Sequence, residues 1–117
     1  MAKAQVGDRV GVIYGGSKET KVLRVLGSGV RVADEVPNAA AGGWMADALR
    51  EANVPNPCIV LDNGDRVYGC ECWWGPEAAT NEQIALHAKD GYAIETVRIA
   101  DMRAAARPGA PGGENDG

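Results

Sequence analysis

The stretch from Cys58 to Glu77, CIVLDNGDRVYGCECWWGPE, holds all three cysteines, two of the three tryptophans and a turn signal. Asn63-Gly64 sits between two apolar runs, the strongest short-range hairpin signal, because a two-residue type I′ loop needs positive φ at both positions. If those two residues form the loop, Leu61 faces Arg66, Val60 faces Val67, Ile59 faces Tyr68 and Cys58 faces Gly69. Side chains alternate between sheet faces. Cys58, Val60, Val67 and Glu71 then share one face, and Ile59, Leu61, Arg66, Tyr68, Cys70, Cys72 and Trp74 share the other.

This register bears on metal chemistry. Cys58, Cys70, Cys72 and His87 are an admissible zinc set, but the hairpin puts Cys58 opposite Cys70 and Cys72. C-x-C on a regular strand also separates the Cα atoms by roughly 7 Å, so joint ligation needs a bulge, which Gly69 offers. A nucleophilic cysteine needs a cation, a helix N-terminus or a histidine to depress its pKa. His87, the only histidine, belongs to the next helix, and Glu71 between the thiols disfavours thiolate. Free cysteines are commonly small buried hydrophobes. The expectation is no catalytic residue, no metal and no cofactor.

Working outward, Val10, Val12 and Tyr14 alternate as in a half-buried strand, and GGSKET after them reads as a turn. Lys21–Leu26 is a second strand, closed by Gly27-Ser28-Gly29. Val30–Val36 is a third, ended by Pro37. Residues 38–57 form an insertion with a short helix over 43–52, carried by Trp44, Met45, Ala48 and Leu49. Pro76 and Glu77 suit the first turn of another helix, with Thr80 and Gln83 offering a competing start. Gly91 ends that helix, and β-branched residues make 92–99 a last strand. The spacing predicts an α+β fold: a small, strongly bent antiparallel sheet, with an SH3-like barrel as one form of it, and two short helices. One domain spans 1–107, and the Gly-, Pro- and acid-rich residues 108–117 form a disordered tail.

The chain has 117 residues and a formal net charge of −4, distributed unevenly. Residues 1–33 carry Lys3, Arg9, Lys18, Lys21, Arg24 and Arg31 against Asp8 and Glu19, whereas the remainder is strongly acidic. Such asymmetry marks either a basic ligand face or lysine-protected sheet edges. No apolar run approaches a membrane span of about 18 residues, and MAKAQVGDRV lacks a signal peptide's apolar core. The cytoplasm of a host cell, with reduced thiols, is the expected location. Gly27-Ser28-Gly29 precedes a strand-like run rather than a helix, so it fails as a dinucleotide fingerprint. No P-loop, GxSxG or HExxH occurs.

Trp73-Trp74 is the remaining signal. Neighbours on a strand point to opposite faces, so at most one indole enters a given core layer. The other is covered by the helix that starts at Pro76 or is free to stack on a base or anchor an interface.

LDNGDRVYGCECWWGPE at 61–77 resembles a signature of small bacteriophage and mobile-element proteins with no established activity to transfer. GSGV followed by DEVP is similar to a second block in them. The resemblance implies a small accessory protein, of a kind that often binds host defence proteins or sequesters nucleotide signals. The expected function is therefore non-enzymatic anti-defence binding of a host protein or a small phosphate-bearing, nucleotide-like ligand. Trp73 or Trp74 would stack, Arg66 and Tyr68 would lie beside them, and Lys21, Arg24 and Arg31 would supply positive charge. Homo-oligomers are expected from open sheet edges. Two rivals stand: a nucleic-acid-binding small β-barrel, disfavoured by overall acidity, and a cysteine- or metal-dependent enzyme.

Overall fold

The computed structural model describes residues 4–106. Strands β1 (Arg9–Ser17) and β2 (Val22–Glu35) form an antiparallel hairpin. The Gly27-Ser28-Gly29 segment does not divide two strands; β2 runs through it, with Val12 opposite Gly27, Gly11 opposite Ser28 and Val10 opposite Gly29. Glycine is needed there for two reasons. Gly27 has φ 114°, in the region that favours glycine, and a Cβ on Gly29 would lie 2.2 Å from the Val60 carbonyl oxygen.

Strands β3 (Asn56–Leu61) and β4 (Arg66–Tyr68) continue the sheet, and β5 (Trp73–Pro76) pairs with the free side of β1. The path β4-β3-β2-β1-β5 does not pair its two ends, so the sheet is open rather than a closed barrel. A sixth strand, β6 (Ala93–Thr96), lies parallel to residues 22–25 of β2. It shares one edge of β2 with β3, which pairs antiparallel with residues 29–35 of that strand.

The Asn63-Gly64 hairpin forms, but its loop is one residue longer than a type I′ turn allows. Leu61 N donates to Asp65 O at 2.8 Å, and Gly64 N to Leu61 O at 2.9 Å. Gly64 alone in this loop has positive φ, at 95°. Cys58 therefore faces Tyr68, Ile59 faces Val67 and Val60 faces Arg66. A one-residue slip exchanges sheet faces. Ile59, Leu61 and Val67 join Val10, Val12 and Leu26 in the main core, while Cys58 and Tyr68 meet Ala41 and Ala46 in a separate cluster.

Three helices, not two, pack on this sheet: α1 (Trp44–Ala52), α2 (Glu77–Lys89) and α3 (Ile99–Ala106). Ala46 seats α1 on the Cys58–Tyr68 cluster, and Arg50 Nη1 donates to the carbonyls of Asn38 and Ala41, fixing the preceding loop. Thr80 seats α2, because Gly11 lacks a Cβ that would fall 2.7 Å from the Thr80 Cβ. The expected strand through Ile99 stops at Thr96; Ile99 instead opens α3 and is buried in the main core. The alanines after it favour a helix. The tail expected over 108–117 lies outside the described residues. Among the described residues, no helix is long and apolar enough to cross a membrane.

Candidate functional site

Strand β5 resolves the tryptophan pair. Trp74 lies opposite Val12, packs on the main core and sits under the Arg31 guanidinium, 5.2 Å from the ring centroid. Trp73 lies opposite Ile13 and is 68% exposed. Its indole borders a groove of about 440 Å³ between sheet and helix, walled by Ile13, Leu23, Ala79, Thr80 and Gln83. The helix after Pro76 does not cover it, because α2 approaches the sheet through Thr80 and Ile84 and leaves its Trp73 side open.

Trp44, absent from the residues singled out for binding, is 76% exposed at the start of α1. Its place in an apolar helical repeat suggests core, yet it is Ala46 that turns inward. Trp44 borders a second concavity, of about 510 Å³, between the Ala39–Gly43 loop and α3. A large residue at the first helical position, beyond the reach of the core stripe, was the available signal.

The other expected binding residues do not join Trp73. Arg66 reaches Glu35 at 2.8 Å and donates to Cys58 Sγ at 3.3 Å. Tyr68 is fully buried and its hydroxyl donates to the same Glu35 at 3.4 Å. Lys21 lies over the Tyr92 ring at 5.1 Å and donates to the Asp90 carbonyl at 3.3 Å. Arg24 pairs with Glu95 at 3.6 Å, and Arg31 with Asp34 at 3.0 Å. Arg9, Lys21, Arg24 and Arg31 thus each have a carboxylate within 4.0 Å, that of Arg31 on its own strand, so these cations do not form an unpaired basic face.

The thiols are divided differently from the expectation. Cys58 and Cys70 border the Tyr68 cluster, and Cys72 packs on the main core. Burial raises all three thiol pKa values; for Cys58 it outweighs the Arg66 hydrogen bond, and Cys72 is pushed up to about 12. Thiolate, the nucleophile, is therefore suppressed at each. His87 is engaged elsewhere: its Nδ1 donates to Gln83 O at 2.8 Å, and its ring meets Tyr92 edge-on at 4.9 Å. Among the described residues no three His, Cys, Asp or Glu side chains are grouped to hold a metal ion.

Among the described residues, one ion pair has both side chains largely withdrawn from solvent. Arg103 Nε and Nη2 both donate to the Glu71 carboxylate at 2.7 Å. The same carboxylate accepts from the amides of Tyr68 at 3.2 Å and Gly42 at 3.3 Å. This clamp ties α3 and the α1 loop to the 3-10 turn at Gly69–Glu71, and so sets the wall of the Trp44 concavity. No protein-family model, curated protein or solved structure matches the chain.

Proposed function

We propose that this chain is a non-enzymatic binding protein that works through protein–protein contact at its two exposed indoles, Trp73 and Trp44. The observation that carries the reading is their exposure, 68% and 76%, each at the rim of a concavity. Tryptophan is enriched among the anchors of interfaces, which characteristically sit in or beside pockets. Suppressed thiolates argue against cysteine chemistry. A phosphate-bearing ligand is less well served, because Lys21, Arg24 and Arg31 already have acidic partners. The resemblance to small phage accessory proteins makes a host protein, such as a defence component, the natural partner.

The test is retention of partner from a lysate of the host cell by immobilised wild type, Trp44→Ala, Trp73→Ala and the double variant. Loss of a specific partner in at least one single variant is expected. Undiminished retention by the double variant, or turnover of a substrate by the purified protein, overturns the reading.

A further inference from the structure

Helix α2 is seated by a narrow stripe. Thr80 is its only buried residue, with Ile84 and His87 half-buried on the same side. At about 100° per residue, the direction opposite that stripe is occupied by Glu82 and Lys89, with Ala78, Ala85 and Leu86 beside them. All five are exposed, Leu86 by 57%. Neither Glu82 nor Lys89 has an ion-pair partner among the described residues, although every described arginine has a carboxylate.

Two depressions open on one flank of α2, and His87 borders both. Beside the N-terminal half is the Trp73 groove. Beyond the C-terminal half is a depression of about 550 Å³ lined by Leu86, His87, Lys89, Asp90 and Tyr92. The first has a protruding indole at its edge, and the second has none.

We propose that this face is a two-fold interface between two copies of the chain, with α2 packed antiparallel on α2 of the second copy. The assignment rests on the Trp73 half of the proposed function and leaves the Trp44 surface to a different protein. A two-fold axis perpendicular to antiparallel helices keeps each flank on its side and exchanges the helix ends. Glu82 of each copy then faces Lys89 of the other, seven residues away along the helix, or about 10 Å. The small Ala85 lies where the helices cross, which permits close approach. The same operation carries each Trp73 to the depression beside Leu86 and Tyr92 of the other copy. Charge and shape are thus self-complementary, as an isologous contact requires.

Sedimentation equilibrium of the full chain, from low to high micromolar concentration, tests this. Wild type is expected to dimerise. Glu82→Lys places two lysines opposite each other at both ends of the contact, and Lys89→Glu two carboxylates; each raises the dissociation constant at least about tenfold. The double variant Glu82→Lys/Lys89→Glu restores the dimer, and Trp73→Ala weakens it while Trp44→Ala does not. A wild type that stays monomeric at about 100 µM, or a double variant as weak as either single one, overturns the proposal. A monomeric wild type whose lysate partner is still lost in Trp73→Ala overturns the dimer alone. A monomeric wild type indifferent to Trp73→Ala in both assays removes the Trp73 reading as well.

Discussion

Replacing Arg103 by methionine probes the clamp beneath the Trp44 concavity. The Glu71 side chain is 4% exposed and that of Arg103 12%. Methionine fills much of the arginine stem's volume but removes both 2.7 Å donors, leaving the carboxylate only the more distant amides of Tyr68 and Gly42. Breaking one side of a buried pair costs about 3–5 kcal/mol, because the remaining charge keeps its desolvation penalty. Two amide donors persist, so the lower end applies, roughly 3 kcal/mol. For a chain of 117 residues that lowers Tm by roughly 12 °C. Urea unfolding followed by tryptophan fluorescence measures it, with an unchanged m-value showing that the transition itself is intact. Glu71→Gln/Arg103→Met removes the orphaned charge and is expected to recover more than half the loss. A cost below about 1 kcal/mol for Arg103→Met, the range of exposed ion pairs, would show that the pair is screened by solvent after all. So would a double variant no more stable than the single.

Three further outcomes are expected. Gly11→Ala drives a Cβ to 2.7 Å from Thr80 and should cost about 1–3 kcal/mol with early loss of α2 amide protection, whereas Gly15→Ala, which meets nothing within 4 Å, should be nearly neutral. The folded Cys72 thiol titrates near 12 against 9.0 for a free one, so the folded state has its full advantage below pH 9 and loses it as pH rises from 9 toward 12; Cys72→Ala should flatten that part of the stability–pH curve in denaturant titrations. Because the cations of β2 are paired with acids, the protein should show no salt-dependent binding to DNA or RNA at about 50 mM salt, and a log–log salt slope of several units would contradict the paired-cation account.

The sequence carried the class of fold and the identity of the hairpin, because Asn63-Gly64 and the alternation around it are local signals. It did not carry the register. Asn63-Gly64 serves a two-residue loop or a three-residue loop with glycine alone at positive φ, and only the packing of Ile59 and Val67 on Val10 and Val12 decides between them. That single residue moved Cys58 beside Tyr68. Gly27-Ser28-Gly29 misled for a related reason: glycine marks a break in most strands, but here it permits β2 to pass within contact of Val60, a tertiary constraint with no local signature. At the candidate site, alternation required the two indoles to part, and Trp73 and Trp74 do. Which of them is exposed depended on the pairing of β5 with β1, between residues some sixty positions apart in the chain.

The shared edge of β2 has a consequence for how the molecule opens. Residues 22–25 are bracketed by β1 and β6, and residues 29–35 pair with β3, with Leu26, Gly27 and Ser28 between the two paired segments along that edge. Ile84 of α2 and Ile94 of β6 pack on Leu23 and Val25 of the first segment, and the cluster of β4 and the α1 loop packs on Val32 of the second. Such a strand is expected to carry two cooperative units rather than one, and native-state exchange should then resolve two opening free energies that meet near Gly27. The end held by β6 is then expected to open at a different free energy from the end held by β3, with β1 the strand common to both.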